Sequence, residues 1–419
     1  MSPIIWIKHA AQLATLAQDS GGPRIKEAMN ELSIIEDGSV WIENGIIQAV
    51  GTTKELEAQY RDRVHEASVT DATGYLVTPG LVDPHTHVAY GGSREREFEM
   101  RLEGATYMEI MNAGGGIHAT TRMTREATED ELVEQSKKRL DSFLQHGVTT
   151  LEGKSGYGLD LENELKQLRV MKRLQQEHPV DLVPTFMGAH AVPTEYKGRE
   201  DEFVELIIHE MLPVVAQEKL AVFNDVFCEV GVFTPEQAER ILEAGKKYGL
   251  TPKIHADEIE PYGGAELAAK VGAISAEHLL KASDAGIQAM AAAGTVACLL
   301  PATALYLREQ AAQGRKMIDE GVPVAISTDC NPGSSPTTSM PLVMNLACIS
   351  MRLTPAEALT AATYNAAYAI QMEDKTGSLE VGKQGDVVLW DISNYQELQY
   401  LFGVNHVKAV WKKGEKVVG

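Results

Sequence analysis

The sequence predicts an α/β fold, a (β/α)8 TIM barrel carrying a small β-rich domain built from both chain ends. Three observations predict it: eight short apolar segments alternate with helical patterns through the middle of the chain, β-branched runs with turn signals occupy both ends, and polar residues recur where the apolar segments stop. At 419 residues the chain exceeds the length at which a single core usually stops growing, so a large domain beside a smaller one is expected. The expected division is a composite small β-sandwich domain from residues 1–79 and 380–419 around a catalytic barrel from residues 80–379.

Residues 34–52, IIEDGSVWIENGIIQAVGT, place the turn pairs Asp37-Gly38 and Asn44-Gly45 between β-branched runs, which is hairpin chemistry. GDVVLWD (385–391) and VKAVWKKGEKVV (407–418) repeat the style at the other end, and chain termini commonly lie close together. Between them the strand candidates are LVDPH (81–85), VTTLEGK (148–154), DLVPTFMGAH (181–190), NDVFCEV (224–230), TPKIHAD (251–257), AISAEH (273–278), TVACLLP (295–301) and VPVAISTD (322–329). Helices are expected over 130–147, 163–177 and 235–249, each with apolar residues at three- and four-residue spacing. Eight strands joined by helical crossovers specify a barrel better than an open sheet. The fifteen methionines scatter through helices and are expected to fill core gaps. The alanine-rich stretch PAEALTAATYNAAYAI (355–370) fits packing within a subunit or between subunits equally well.

Acidic residues outnumber basic ones 59 to 38, a formal charge of −21, which argues against a nucleic-acid surface and requires a local basic group for any small anionic substrate. Cys228, Cys298, Cys330 and Cys348 lie far apart with no C-x-x-C, so neither a zinc-cysteine site nor a disulfide framework is expected. The start MSPIIWIKHAAQL lacks signal-peptide character and no long uninterrupted apolar run occurs, so a cytoplasmic protein without membrane partners is expected.

Polar residues gather at one place in the predicted barrel. His85, His87, Lys154, His190, Glu229, His255, His278 and Asp329 all stand at or just past the C-terminal ends of strand candidates, the face on which barrel active sites are built. At an extended strand end, residues 85 and 87 point to one side, so their imidazoles can converge on one ion while Thr86 faces away. H-x-H alone is a weak signal. HADE (255–258) and STDCNPGSS (327–335) end two further strands and strengthen it, offering His255 as a third ligand and Asp329 as a fourth. Such donors suit zinc or iron and leave a position for water. Asp329 alone also reads as a turn residue, and His278 reads either as a core histidine or as a group that orients the water.

VTPGLVDPHTH, the strand-end residues His255, His278 and Asp329, and the closing TGSLEVGKQGDVVLWD together resemble the amidohydrolase superfamily, metal-dependent barrels with a small β-domain made from both chain ends. Within it, GLVDPHTHVAYGGSREREFEMRLEGATYMEIMNAGGGI, EGKSGYGL, GAHAVP, KIHADE and STDCNPGSSPT are closely similar to the branch that opens 4-imidazolone-5-propanoate with water, giving N-formimidoyl-L-glutamate in histidine degradation. The similarity runs over nearly the whole chain. It implies one ion, Zn(2+) or iron, on His85, His87, His255 and Asp329, with Asp329 and His278 helping to deprotonate a water that attacks the ring carbonyl carbon. It further implies that Arg94 grips the propanoate, that Tyr157 hydrogen-bonds substrate and that His190 donates to the ring carbonyl oxygen or else ligates a second metal. Glu258 would contact the ring and relay a proton to the leaving nitrogen, while Asn331, Gly333 and Ser334 would hold substrate or product. Lys154 stands where binuclear relatives carry a bridging carboxylated lysine; similarity to the mononuclear branch favours one ion and gives Lys154 no catalytic role. A homodimer is implied as well.

Without the family match, the RERE run at 94–97 reads as a solvated charge run, Tyr157 as packing and Glu258 as a surface residue. NAGGGIHATT (112–121) lacks a nucleotide-binding context and reads as a loop near the site mouth, from which His118 reaches toward substrate. Two rivals remain: an aminohydrolase acting on a cytosine- or guanine-like ring, which gives Arg94 no carboxylate to pair, and a scaffold protein that has lost chemistry, which conflicts with the full ligand set.

Overall fold

The small sheet begins with β1 (Ile4–Ala14), whose register shifts between Ile7 and Ala10 around His9, at φ 61°. The structure, a computed structural model, describes residues 4–17, 21–105, 109–110 and 113–419. β2 (Ile34–Glu43) and β3 (Ile46–Thr52) form the expected hairpin through Asn44 and Gly45, both at positive φ as a two-residue hairpin turn requires. Asp37-Gly38 is no turn. It lies inside β2 opposite the irregularity in β1, where a β-carbon on Gly38 would collide with Leu13. β4 (Ala67–Asp71) pairs in parallel with the first half of β1, and β5 (Leu76–Pro79) with the second, so the bulge at His9 is where β1 changes its neighbour on that edge.

Gly80 then carries the chain straight into β6 (Leu81–Asp83), passing so close to Thr149 that a side chain would not fit. β7 (Val148–Lys154), β8 (Asp181–Ala189), β9 (Phe223–Cys228), β10 (Thr251–Ala256), β11 (Ser275–His278), β12 (Val296–Leu299) and β13 (Val324–Ile326) follow, each parallel to its predecessor in chain order. The expected strands are all present, and most are shorter than the sequence suggests because strand-end residues leave the ladder to enter the site. The seam between β6 and β13 is joined by side chains and loops. The Thr328 hydroxyl donates to Asp83 at 2.6 Å, and the His87 N–H donates to the Cys330 carbonyl at 3.0 Å. At the other end of the seam, Val82 N–H donates to the Ala362 carbonyl and the Asn365 amide to the Val324 carbonyl, each at 2.9 Å. The alanine-rich stretch forms two helices, Pro355–Ala361 and Tyr364–Ala369, almost wholly buried within this chain.

The three expected helices run over Glu129–Gln145, Leu161–Glu177 and Pro235–Lys247. Thr128, Asp160 and Thr234 cap their first turns, and Thr128 and Thr234 do so with reciprocal capping boxes. Met171, Met211, Met290 and Met317 are buried in the barrel core. Among the described residues, no helix is long and apolar enough to cross a membrane.

β14 (Val387–Trp390), β15 (Val407–Lys412) and β16 (Glu415–Val418) complete the small sheet, β14 lying antiparallel to β5. Ile5, Leu13, Val40 and Val77 thus share a core with Val387 and Trp411. Lys412 locks this sheet to the barrel: its ammonium lies 2.6 Å from Asp386 and 2.7 Å from Asp181, with the side chain only 2% exposed. Removing one member of a buried pair leaves the other charge uncompensated, so Lys412→Met should destabilise the protein by roughly 3–5 kcal/mol. Urea unfolding of this variant should show a lower midpoint, and an unchanged midpoint would disprove the coupling.

Candidate active site

The DPHTH stretch leaves β6 as the alternation predicts, with the imidazoles of His85 and His87 on one side, 5.4 Å apart between ring centroids. Thr86 turns the other way, its hydroxyl donating to the Glu152 carbonyl at 2.6 Å. His255, from the end of β10, brings its ring to 4.5 Å from His85 and 5.8 Å from His87. Asp329, beyond β13, holds Oδ1 3.3 Å from His85 Nε2 and 3.8 Å from His87 Nε2, while its Oδ2 accepts from the Thr303 hydroxyl at 2.7 Å. His278 ends β11 with its ring 5.2 Å from His255. His278 and Asp329 sit at φ 70° and 52°, an uncommon backbone region for residues with side chains.

The donor set fits a metal ion. His85, His87 and His255 offer ligand atoms within 4.8 Å of one another, as do His85, His278 and Asp329, and all are buried. His85 Nε2, His87 Nδ1, His255 Nε2 and His278 Nδ1 are buried nitrogens with no hydrogen-bond partner, an arrangement that is costly unless something else satisfies them. Burial, aided by Lys154 and the neighbouring imidazoles, holds His85 well below the ordinary histidine pKa; burial and His190 do the same for His87, and burial and His255 for His278. Neutral imidazole is the metal-binding form.

Beneath the imidazoles lies a layer of buried charge of which the sequence reading named only Lys154. Glu277 accepts from His85 Nδ1 at 2.8 Å and Asp225 from His255 Nδ1 at 3.1 Å, which leaves each Nε2 facing the cluster centre. Lys154 bridges Asp225 and Glu152 at 2.7 and 2.9 Å; Lys253 reaches Glu152 at 2.9 Å and Glu277 at 3.5 Å. Burial opposes the Lys154 ammonium, but Asp225, Glu152 and Glu277 outweigh it and hold its pKa well above the usual lysine value. Lys154 therefore belongs to this supporting layer. Its signal was available: Glu152 with Lys154, and Lys253 with His255, are charged or ligating pairs two residues apart in strands buried on both faces.

Above the cluster opens a cavity of about 520 Å³, walled by Phe227, Ile117, Val232 and Ile259 and reached by Arg94, Tyr157, His190, Glu258, Asn331, Gly333 and Ser334. Glu164 accepts the N–H groups of Gly156, Gly158 and Leu159, fixing the loop that presents Tyr157 to His87 and His190. Glu258 lies 3.5 Å from His278, on a loop held by Glu229, which accepts the N–H groups of Glu258 and Ile259. Burial, then Asp329 and Glu229, push the Glu258 carboxyl up to about 8.

His190 Nδ1 lies 3.0 Å from the Gly156 carbonyl, which can only accept, so Nδ1 carries the proton. Burial, assisted by His255, pushes its pKa down to about 3. Asn331, which also lines the cavity, accepts from the N–H groups of Gly333 and Ser334 and donates to the Asp329 carbonyl and Ser334 hydroxyl, so its side chain builds the loop. His118 is not among the cavity residues; it lies in the first turn of the helix Ile117–Glu126, so the expected loop over 112–121 ends at Gly116. Asn112 lies outside the described residues.

The amidohydrolase family profile matches residues 76–417. An imidazolonepropionase of Brevibacillus brevis is 65% identical over 418 residues, covering 100% of this chain and 99% of its own. An imidazolonepropionase of a Geobacillus species is 64% identical over 414 residues, covering 99% and 98%. Among solved structures, an adenosine deaminase from Xanthomonas campestris with bound zinc superposes with a TM-score of 0.70 at 20% identity, over 99% of this chain and 92% of that one. The chain therefore belongs to the amidohydrolase family and, within it, to the imidazolonepropionase group.

Proposed function

We propose that this protein hydrolyses 4-imidazolone-5-propanoate to N-formimidoyl-L-glutamate, using one divalent ion, zinc or iron(II), held by His85, His87, His255 and Asp329. The observation that carries the reading is the buried cluster of unpartnered imidazole nitrogens opening on a cavity with arginine at its mouth, in a chain 65% identical to an imidazolonepropionase. The ion would supply Lewis acidity and a strong nucleophile from water near neutral pH.

The chain's own groups account for the rest. Asp329, fixed through Oδ2 by Thr303, takes a proton from the attacking water, with His278 beside it to orient the oxygen. The water oxygen bonds to the ring carbonyl carbon, and the bond from that carbon to the adjacent ring nitrogen breaks. Glu258, protonated at neutral pH by its burial, gives its proton to the departing nitrogen and takes back the hydroxyl proton of the new carboxyl group, which stays on the product as a carboxylate, while the proton on Asp329 is released to water. His190 Nε2 accepts a ring N–H, and the Tyr157 hydroxyl faces the same ring. Arg94 presents the Nη1/Nη2 edge of its guanidinium to the propanoate, a fork that a neutral nucleobase would leave unpaired.

The direct test generates the unstable substrate in place from urocanate with urocanase. Loss of its ultraviolet absorbance should coincide with formation of N-formimidoyl-L-glutamate, cease after metal removal and return on adding zinc or iron(II). No turnover by metal-loaded protein would overturn the reading. Glu277→Gln should weaken metal affinity by about 10- to 100-fold, because Glu277 fixes the tautomer of His85. Competition against a chelator measures this, and equal affinity in the variant would remove Glu277 from that role.

A further inference from the structure

Arg94 alone does not make the cavity attractive to an anion. Both oxygens of Glu97 hold it, at 3.0 Å from Nε and 2.7 Å from Nη2, so a buried carboxylate already balances its charge. Glu97 is anchored in turn, accepting the Gly116 N–H at 3.0 Å.

The same helix offers another cation. Arg94 is the N-cap of the helix Glu95–Leu102 and Arg101 lies in its last turn; seven residues are about two turns, so both stand on one face and both line the cavity. Arg101 Nη2 donates to the Gly333 carbonyl at 2.9 Å, and its guanidinium lies 5.5 Å from the Tyr306 ring centroid. Neither partner is anionic, and among the described residues no carboxylate forms an ion pair with it. Gly333 stands between the two arginines, its carbonyl on Arg101 and its α-carbon so near Arg94 that any side chain would strike the guanidinium.

We propose that Arg101 is a second substrate-binding residue, supplying a guanidinium charge that no carboxylate balances to attract the substrate's carboxylate, while Arg94, balanced by Glu97, supplies direction. The inference rests on the reading of an anionic substrate. A charge-assisted contact of this kind corresponds to about a ten- to hundredfold change in binding. Arg101→Met should therefore raise KM by about that factor with kcat changed less than about threefold, and Arg101→Lys should recover most of the loss.

Competition by glutarate, with uncharged glutaramide as its matched control, separates charge from shape. Weakened binding of glutarate alone in Arg101→Met supports the proposal. Unchanged KM and glutarate affinity, or equal weakening of both probes with no recovery in Arg101→Lys, overturns it. Should the wild-type enzyme fail to open the imidazolone, the functional reading falls, and calorimetric titration of glutarate into wild-type and Arg101→Met protein still decides whether Arg101 binds anions.

Discussion

The site depends on a layer of charge sealed inside the barrel. Lys154 and Lys253, set among Glu152, Asp225 and Glu277, occupy space that a barrel usually fills with branched apolar side chains. Burying such groups is unfavourable unless each is paired, and here each lysine touches two carboxylates. The carboxylates then have oxygens left to hold His85 and His255 by Nδ1. One network thus keeps charged side chains tolerable in the interior and points two imidazoles upward.

The loops above repeat this logic with backbone groups. Asp257, at φ 50°, accepts three N–H groups from residues 262, 264 and 265, while Glu229 and Asn331 hold the neighbouring loops. Positive φ at Asp257, His278 and Asp329 turns the chain sharply where each strand stops, and the hydrogen bonds keep those turns in place. Candidate site residues on short strands gain rigidity from neighbours outside the cavity such as Asp257 and Glu229.

Much of this was legible in the sequence. The periodicity of the strands and the grouping of histidines at their ends locate the barrel and its working face, because both follow from local pattern. Asp37-Gly38 misled because the glycine is required inside a strand, where Leu13 of the neighbouring strand leaves no room for a side chain, and the sequence alone does not separate that need from a turn. The tautomer of His190 depends on the carbonyl of Gly156, thirty-four residues away, and the pairing of Arg94 with Glu97 hides in a run that looks like ordinary surface charge. Spacing identifies residue types suited to a reaction; it does not reveal which of their atoms are already engaged.

The junction of β5 with β14 constrains how the molecule is made. Residues 76–79 find their antiparallel partners at 387–390, on the far side of the entire barrel in chain order. During synthesis the N-terminal strands emerge first, yet one edge of their sheet stays open until the barrel that separates it from residues 387–390 has been translated. The small sheet therefore closes only after the barrel between its two parts has been made, and until then β5 offers an unpaired edge.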